Sequence, residues 1–391
     1  MVLSLYHTYL FPFILVSSML IQTTNSLRVA VLGSGIAGSA AARTLAERGV
    51  EVVVFEAGFG IGGRTSTRVT RDDFRYQFDH GAQYIGSPKT DAFQECLEEW
   101  KSAGFVKEWT GNFGSVVGYN VEVETEKKDR WVGFPRMNSI CRNLVHHRNT
   151  RVKLQTRANA SRTNEGWSLT DSKTKKDLGT FDWLIASDRN SGSHFRRDLA
   201  EGNVEEFTSG IRNIKSVKSL TAMVVFEKPL DLKLDGVQFT GKDSQYGSLG
   251  WVARDSSKPG RERNDGQECW VLQSHPDAAN ELLKGKRKIG EIREMAREVL
   301  VGDFLKSLPL LAESEQIDIP SVVFSVGHRW GAAFPILSQE YQGVNCQPIA
   351  SEKFVACGDY FGKLSGRIEG AYLSGQAAAN EIIQMNEELL R

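Results

Sequence analysis

Cysteine is scarce in this sequence and never occurs in a pair with metal-ligand spacing. Five cysteines are scattered among 391 residues, and no CxxC motif is present. No metal site is therefore predicted, and an odd count argues against a disulfide framework in a chain of this length. Free thiols in or near the core are expected at Cys96, Cys141, Cys269, Cys346 and Cys357.

The sequence also has no excess of either charge. Lysine plus arginine and aspartate plus glutamate both number 48, so the formal net charge is zero. A protein that binds nucleic acid through its phosphates usually has a broad basic surface, and this balance argues against such a partner. It leaves room for a local basic pocket that binds a small anionic molecule.

Residues 10–21 form an almost wholly apolar run, which is too short for a permanent membrane span of about twenty residues. The small polar residues that follow are typical of a signal-peptide cleavage region, although no lysine or arginine precedes Arg28. Residues 1–26 are therefore predicted to be a signal or targeting segment. This favours the secretory route or an extracellular location, with a plastid, another organelle or an uncleaved extension as the alternatives. Asn159-Ala160-Ser161 fits a glycosylation acceptor, a pattern that often arises by chance.

No internal repeat is found, and the first organised unit is a strand, a helix and a second strand. Residues 27–32 and the valine-rich residues 50–56 predict two buried parallel strands. The alanine-rich residues 36–48 predict the helix between them, and residues 135–147 predict another helix. This order is typical of a βαβ unit with a right-handed crossover.

A glycine motif lies where the first strand ends and the helix begins. Gly33 permits a tight turn, Gly35 lets the backbone approach a pyrophosphate, and Gly38 lets the helix pack closely on the strand. Ala37 lies in the first helical turn, whose amide groups face the phosphates. Glu56 closes the second strand at the distance expected of a carboxylate that binds ribose. The pattern predicts a dinucleotide site but does not distinguish FAD from NAD.

A second glycine cluster follows the second strand closely. It contains Gly60, Gly62, Gly63 and Arg64, and here the chain resembles the flavin-dependent amine oxidases and their relatives. In that family this arginine lies near the FAD phosphates, which suits the forked geometry of a guanidinium. The resemblance implies that Gly63, Arg64 and the adjoining Thr65 bind a non-covalent FAD.

Residues 79–84 resemble the segment that passes beside the flavin ring in the renalase branch of that family. The resemblance implies that Gly81 and Ala82 permit close approach of the backbone to the ring. It also implies that Gln83 hydrogen-bonds the ring and that Tyr84 packs near it. An ordinary strand end is the alternative interpretation.

Residues 355–359 and 366–370 resemble the C-terminal flavin motif of the same family. The resemblance implies that Asp359 contacts the ribityl or pyrophosphate part of the cofactor. The helix that contains Ile368 would direct its positive N-terminal end at the pyrimidine edge of the flavin. Ala158 is a further cofactor-binding residue implied by the resemblance.

The stretch that begins at Trp251 and the His328-x-Trp330 element resemble segments of renalase and its bacterial and plant relatives. These three residues and Tyr84 are therefore the candidates on the substrate side. Core packing is the alternative for the tryptophans. Residues 331–333 are Gly-Ala-Ala, where that group has larger basic and aromatic residues, so the substrate stays open.

Together these segments predict an α/β fold of the amine-oxidase or p-hydroxybenzoate-hydroxylase type. A discontinuous Rossmann-like FAD-binding domain is expected to use residues 27–85, 135–189 and 338–391. A substrate domain with a mixed sheet is expected to use residues 86–134 and 190–337. The flavin ring would lie between the two, where pockets commonly form.

The renalase resemblance implies an oxidase of a dihydronicotinamide, an off-pathway isomer of NAD(P)H. Hydride would pass from this small substrate to FAD and then to oxygen, giving hydrogen peroxide. The sequence shows neither an evident acid–base pair nor a second glycine motif for NAD(P)H as a separate reductant. Two alternatives stay open. One is an amine oxidase with Tyr360 and Phe361 as candidates for an aromatic cage, and the other is a flavin-binding protein without turnover.

Overall fold

The computed structural model describes residues 26–70, 75–187, 214–240, 246–312, 318–336 and 339–387. The predicted targeting segment lies, apart from its last residue, outside these described residues. No helix within them is long and apolar enough to cross a membrane. All five cysteines are buried and free, as the sequence predicted.

Six α-helices and twenty strands make up the described chain. The helices are α1 (Ile36–Glu47), α2 (Asp91–Ser102), α3 (Ser139–Val145), α4 (Pro276–Leu282), α5 (Ile289–Leu311) and α6 (Ile368–Met385). The strands are β1 (Arg28–Leu32), β2 (Glu51–Phe55), β3 (Thr67–Val69), β4 (Gln77–Asp79), β5 (Val106–Glu108), β6 (Phe113–Val117), β7 (Asn120–Val123), β8 (Trp131–Gly133), β9 (Thr150–Lys153), β10 (Ala158–Thr163), β11 (Gly166–Asp171), β12 (Asp177–Phe181), β13 (Trp183–Ala186), β14 (Ser216–Phe226), β15 (Gly236–Thr240), β16 (Leu249–Arg254), β17 (Glu268–Ser274), β18 (Val322–Pro335), β19 (Gln347–Ile349) and β20 (Phe354–Ala356).

A six-stranded sheet in the order β19-β20-β13-β1-β2-β9 contains the predicted βαβ unit. All of its neighbouring strands run parallel except β19, which is antiparallel to β20. The run Val52-Val53-Val54 is buried although its side chains alternate between the two faces. Both faces of this sheet are therefore covered, as the unbroken apolar run predicted.

The helix α1 packs closely on the glycine turn and on α6. A Cβ added to Gly38 would lie 2.1 Å from the carbonyl oxygen of Gly33, and one added to Gly375 would lie 2.1 Å from that of Ala37. Neither distance is possible for real atoms, so both contacts depend on a hydrogen in place of a side chain. The first and last helices of the described chain thus meet at the dinucleotide turn.

A seven-stranded sheet in the order β18-β14-β17-β16-β15-β6-β7 forms the second half of the fold. Its strands β15 and β6 are parallel and the other neighbours are antiparallel, so the sheet is mixed, as predicted. The helix α5 covers one face through Ala296, Leu300 and Phe304, which are fully buried. The predicted α/β fold class is confirmed.

Core packing crosses the predicted domain boundaries in two places. Tyr76 and Phe78, next to and within β4, pack against Met223 of the second sheet. Phe93 and Leu97 of α2 pack in the core of the first sheet. The boundaries themselves stay a prediction.

A glycine-to-alanine pair tests the contact between α1 and α6. Gly375→Ala should lower the free energy of unfolding by roughly 1–3 kcal/mol, because the new methyl group collides with the backbone of Ala37. Gly302→Ala, in the interior of α5, meets no atom within 4 Å and should raise stability by about 0.5–1 kcal/mol. Urea unfolding of both variants measures the difference, and equal effects would contradict the close packing at Gly375.

Candidate active site

One large cleft runs along the carboxyl ends of the first sheet and reaches the second sheet. Its volume is about 2120 Å³, well above the roughly 300–1,000 Å³ of typical small-ligand pockets. Every site residue predicted from the sequence lines it except Gly38, which is buried under the turn. The cleft therefore has room for a dinucleotide and a second small molecule.

The turn between β1 and α1 forms one end of the cleft. Gly33 has a left-handed φ of 98°, and its N–H donates to the carbonyl oxygen of Phe55 at 2.9 Å. At Gly35 an added Cβ would meet no protein atom closer than the carbonyl oxygen of Gly62, 4.0 Å away. Packing within the protein does not require a glycine at position 35, so its bare backbone leaves space in the cleft for a ligand.

Glu56 joins this turn to the loop after β2. Its Oε2 accepts hydrogen bonds from the N–H of Ser34 at 3.1 Å and from the Ser34 hydroxyl at 2.7 Å, and its Oε1 accepts from the N–H of Gly58 at 2.6 Å. The carboxylate is thus fixed at the end of β2, where the sequence predicted a group that recognises ribose.

Arg64 and Asp359 meet in the cleft although 295 positions separate them in the sequence. The guanidinium makes a bidentate pair with the carboxylate, at 2.6 Å and 2.5 Å, and also donates to the carbonyl oxygen of Ala333 at 3.1 Å. The Arg64 side chain is 39% exposed, whereas that of Asp359 is 6% exposed. The two residues predicted to hold the phosphates and the ribityl chain therefore lie at one point, with part of the arginine open to the cleft.

The segment after β4 crosses the middle of the cleft. The N–H of Ala82 donates to the carbonyl oxygen of Arg64 at 2.9 Å, and a Cβ on Gly81 would lie 2.0 Å from that same oxygen. The Gln83 amide nitrogen donates to the carbonyl oxygens of Asp79 and Gly81, at 2.5 Å and 3.0 Å. Both protons of this amide are used within the protein, so the predicted bond from Gln83 to a flavin ring is confined to its Oε1.

Four buried charges lie directly behind this segment. Arg261 Nη2 is 2.6 Å from Asp79 Oδ2, and Arg261 Nη1 is 3.3 Å from Asp255 Oδ2. Lys258 Nζ is 3.0 Å from Asp255 Oδ1 and 3.8 Å from Asp79 Oδ2, and it donates to Gln83 Oε1 at 3.2 Å. All four charged residues are at most 5% exposed. We call Asp79, Asp255, Lys258 and Arg261 the buried tetrad.

The buried tetrad is electrically balanced, which offsets the cost of removing four charges from water. Burial alone would raise the pKa of Asp79, but the positive charges of Arg261 and Lys258 outweigh it and hold this pKa below its usual value. The stretch between Trp251 and Arg261, which the sequence linked to renalase without a role, thus anchors the segment after β4 to the second sheet.

The buried tetrad also explains a wrong prediction. The helix expected over residues 135–147 begins only at Ser139. The carbonyl oxygen of Pro135 accepts a hydrogen bond from Arg261 Nε at 2.5 Å, and the N–H of Met137 donates to Asp79 Oδ1 at 3.2 Å. These backbone groups therefore bond to charged side chains instead of helical partners.

Two histidines and a tryptophan form a tight cluster in the wall of the cleft. The ring centroids of His328 and Trp330 are 4.5 Å apart, and the ring of His80 lies 4.8 Å from the first and 4.9 Å from the second. Trp330 Nε1 donates to the carbonyl oxygen of His80 at 3.0 Å. The resemblance to renalase named His328 and Trp330 together, and their alternate positions on β18 place them on one face of the sheet; His80 was not among the predicted site residues.

Both imidazoles of this cluster are uncharged at neutral pH. Burial, the neighbouring His328 and the positive charge of Arg68 lower the pKa of His80 to about 3. Burial and the charges of Arg68 and Arg293 lower the pKa of His328 to about 4. Each neutral ring has one N–H donor and one acceptor nitrogen.

Aromatic rings form the adjoining wall. Tyr84 and Trp251, both candidates from the sequence, have ring centroids 5.8 Å apart. The Nε1 of Trp251 is buried and has no hydrogen-bond partner in the part of the chain that the structure describes. Tyr360 and Phe361, the suggested aromatic cage, are instead buried in the core beneath the first sheet and do not line the cleft. That suggestion is wrong, because the turn after β20 directs both rings inward.

The N-terminus of α6 closes the far side of the cleft. Gly366 (φ 75°) and Ile368 line the cleft there. Glu369 accepts hydrogen bonds from the N–H of Lys89 at 3.0 Å and from the Thr90 hydroxyl at 2.9 Å. The partial positive charge of this helix end therefore lies at the cleft, and its alignment with the flavin ring stays a prediction.

Thr65 and Ala158 are two further candidates that line the cleft. Neither offers the cleft a free side-chain polar group. The Thr65 hydroxyl donates to the carbonyl oxygen of Gly62 at 2.7 Å, and Ala158 is the first residue of β10. No group of three or more histidine, cysteine, aspartate or glutamate residues in the described ranges could hold a metal ion.

Sequence reasoning missed several lining residues. Gln273 donates to the carbonyl oxygen of Gly81 at 2.6 Å, and Arg68, Lys218 and Arg293 approach from three other elements. None belongs to a local motif, so only the pairing of distant strands and the crossing of α5 over β18 could have identified them.

FAD, the predicted cofactor, fits the residues of this cleft. The space left at Gly35 and the N-terminus of α1 suit a pyrophosphate. Glu56 is placed for ribose and Arg64 for phosphate oxygens, and the N-terminus of α6 would stabilise negative charge on the flavin ring. The described part of the chain thus offers groups suited to the pyrophosphate, a ribose and the flavin ring.

Residues 31–100 match the family model described as an NAD(P)-binding Rossmann-like domain. The matched region spans the glycine turn, Glu56, Arg64 and the segment after β4. The Rossmann-like part of the predicted fold is therefore confirmed.

Three solved structures share the fold over most of both chains. A cyclohexylamine oxidase from Brevibacterium oxydans IH-35A is 13% identical, with a TM-score of 0.66 over 93% of this chain and 100% of that one. A protein of Exiguobacterium sp. 255-15 assigned as a protoporphyrinogen oxidase is 11% identical, with a TM-score of 0.65 over 91% and 98%. A putrescine oxidase redesigned in its cofactor binding is 12% identical, with a TM-score of 0.58 over 92% and 100%. This chain therefore has the fold of amine oxidases, and the narrower likeness to renalase stays a prediction.

Removal of one charge from the buried tetrad should destabilise the protein strongly. Arg261→Met leaves two buried carboxylates with one lysine, and we expect a loss of roughly 3–5 kcal/mol in the free energy of unfolding. Lys284→Met removes an exposed pair with Glu281 and should change it by less than about 1 kcal/mol. Urea unfolding at pH 7.5 measures both.

The pH dependence of the free energy of unfolding of Arg261→Met distinguishes the effect of the lost charge from the effect of lost packing. In Arg261→Met a buried carboxylate should acquire a raised pKa and bind a proton more readily in the folded state than in the unfolded state. The stabilisation that comes from protonating this carboxylate is then present at low pH and lost as the pH rises. The deficit relative to the wild type should shrink as the pH falls toward about 5, and an unchanged deficit would indicate packing alone.

Gly35→Ala tests the dinucleotide end of the cleft. The added methyl group meets no protein atom closer than 4.0 Å, so the stability of the FAD-free chain should stay within about 0.5 kcal/mol of the wild type. The same group would occupy the space of a pyrophosphate, and FAD affinity should fall at least tenfold, to be measured by flavin fluorescence titration. Gly343→Ala, outside the cleft and with no atom within 4 Å, is the control. Unchanged FAD affinity in Gly35→Ala would refute this placement.

Proposed function

We propose that this chain is an FAD-dependent oxidoreductase that acts as an oxidase on a small reduced substrate, a dihydronicotinamide related to NAD(P)H. The observation that carries the proposal is the single cleft, which begins at the dinucleotide turn and ends at His80, His328 and Trp330. A cofactor site and a substrate pocket in one cavity suit direct transfer between two bound molecules. When bound, FAD would supply the two-electron chemistry.

The carboxylates that line the described cleft are all engaged within the protein. They are Glu56, held by Ser34 and Gly58, Asp129, held by Ser87, Asp359, held by Arg64, and Glu369, held by Lys89 and Thr90. The low pKa values of the two histidines make them weak bases near pH 7. Such a site suits a substrate that loses hydride without losing a proton to the protein, and a dihydronicotinamide meets this condition because its product is a stable pyridinium.

The aromatic wall supports a flat substrate. Tyr84 and Trp251 offer ring faces on which a nicotinamide could stack, and both help to exclude water. Oxygen, as the acceptor, takes up the two electrons and the proton of the hydride with one further proton and becomes hydrogen peroxide. Export through the secretory route, which the N-terminal sequence favours, is part of this proposal.

Amine oxidation is the second candidate, and the shared fold with cyclohexylamine oxidase and putrescine oxidase favours it. The positive charges of the lining side chains disfavour a protonated amine as the substrate. Arg68 and Arg293 lie near the histidines, Lys218 lines the same cleft, and like charges repel such a substrate.

Anaerobic mixing tests the two candidates. The purified full-length chain, saturated with FAD, should lose its flavin absorbance when mixed with isomerised NADH and should not lose it with cyclohexylamine or putrescine. Readmission of oxygen should restore the absorbance and release hydrogen peroxide. Gly35→Ala, at the FAD concentration that just saturates the wild type, serves as the control, because its weaker FAD binding should reduce all of these changes.

Each other outcome contradicts a defined part of the proposal. Bleaching by amines alone would favour amine oxidation over the dihydronicotinamide. Bound flavin that neither substrate class reduces would favour a binding protein without turnover. A chain that takes up no FAD would remove the basis of the proposal.

A further inference from the structure

The cleft wall beyond the histidine and tryptophan cluster carries three basic side chains. Arg68 comes from β3, Lys218 from β14 and Arg293 from α5. No carboxylate occurs among the described residues that these three elements contribute to the cleft. Three separate elements therefore contribute basic side chains to the wall, of which Arg68 also has a further interaction of its own.

Arg293 is placed beside the cluster by a close backbone contact. A Cβ on Gly327 would lie 1.8 Å from the carbonyl oxygen of Arg293, so β18 crosses α5 with no side chain between them. His328 is the next residue of β18. Because of this crossing, the Arg293 side chain begins close to the imidazole of His328.

Strand register brings the other two cations to the same place. Lys218 lies at a shift of register in β14, immediately before Ser219, which pairs with Trp330. Arg68 pairs with Phe78, two residues before the first histidine of the cluster. Arg68 and Arg293 therefore lie near the histidines, and Lys218 lines the same cleft next to the strand position that pairs with Trp330.

Two observations indicate that this wall is incomplete without a ligand. Neither Lys218 nor Arg293 forms an ion pair with a carboxylate of the described chain. The Nδ1 atoms of His80 and His328 are buried and lack a hydrogen-bond partner in the same residues, and His80 is only 6% exposed. Buried polar atoms nearly always have a partner in folded proteins.

We infer that Arg68, Lys218 and Arg293 form an anion subsite, which binds a phosphate or carboxylate group of the substrate while the aromatic cluster contacts its uncharged ring. A guanidinium binds either kind of oxyanion through charge-assisted, forked hydrogen bonds. The inference rests on the proposed function and narrows its substrate to an acid. A substrate whose only charge is that of an amine is incompatible with this wall.

Four ring compounds of similar size test the charge preference. The full-length chain, saturated with FAD so that the dinucleotide end is filled, is titrated with phenyl phosphate, benzoate, benzyl alcohol and benzylamine. The absorbance of bound flavin and the fluorescence of the protein, to which the lining Trp251 and Trp330 contribute, report binding. At least one anion should bind about tenfold or more tightly than the alcohol, and the amine most weakly. The tighter of the two anions identifies phosphate or carboxylate as the group recognised.

Two arginines on one helix provide a matched comparison. Arg293→Gln should weaken binding of the preferred anion by about tenfold or more and leave benzyl alcohol within twofold. Arg297, about one turn further along α5, is paired with Glu294 and does not line the cleft. Arg297→Gln should therefore leave both affinities within twofold, and Lys218→Gln should repeat the effect of Arg293→Gln from a different element.

Equal binding of the anions and benzyl alcohol would overturn the subsite, as would equal losses in Arg293→Gln and Arg297→Gln. Either result can occur with FAD bound and reducible, so it leaves the proposed function intact. Absence of FAD binding overturns the proposed function instead. In that case, protein fluorescence titrations of the two arginine variants with the anions still decide the subsite.

Discussion

The buried tetrad is the interaction on which the rest of the site depends. Asp79 ends β4, and Asp255, Lys258 and Arg261 follow β16 of the second sheet, so the four charges join two parts of the chain that form different sheets. Between Asp79 and the aromatic wall lies the short segment that crosses the cleft. Because buried charges without partners are so unfavourable, the tetrad allows this segment essentially one position.

Several other contacts follow from that position. Gly81 presses its backbone against the carbonyl oxygen of Arg64, and Arg64 in turn pairs with Asp359. The carbonyl oxygen of His80 accepts a hydrogen bond from Trp330 on β18. One short segment thus links the loop after β2, the C-terminal motif and the second sheet, which together form the cleft.

The charge pattern of the cleft separates two tasks. At the dinucleotide end, Glu56 and Asp359 are held among backbone amides and Arg64, an arrangement suited to ribose and phosphates. At the other end, Arg68 and Arg293 lie near two imidazoles that burial keeps neutral. A neutral imidazole can accept or donate a hydrogen bond without adding to the positive charge of the wall. The proposed redox site for an acidic, flat substrate would account for both ends of this cavity.

Local patterns predicted the dinucleotide half well. The glycines, the valine run and the alanine-rich helix follow one another within about thirty residues, and their spacing reflects steric rules that hold in any βαβ unit. The outcome was poorer where a side chain had a choice of partner. Tyr360 and Phe361 turned out to be core residues. The amide protons of Gln83 bond backbone carbonyls, so its bond to a flavin ring stays a prediction for Oε1 alone.

By itself, the sequence determined the fold class, the dinucleotide turn and the identity of most residues that line its end of the cleft. These depend on short-range backbone geometry and on the period of apolar residues, both of which are legible along the chain. Only the tertiary structure decided which distant side chains meet: the charges of Arg261 and Asp79, and Arg293 beside the neutral ring of His328. Strand register and helix crossings determine which side chains become neighbours. Electrostatic interactions then depend on the distance between charges in space, not on their separation in the sequence.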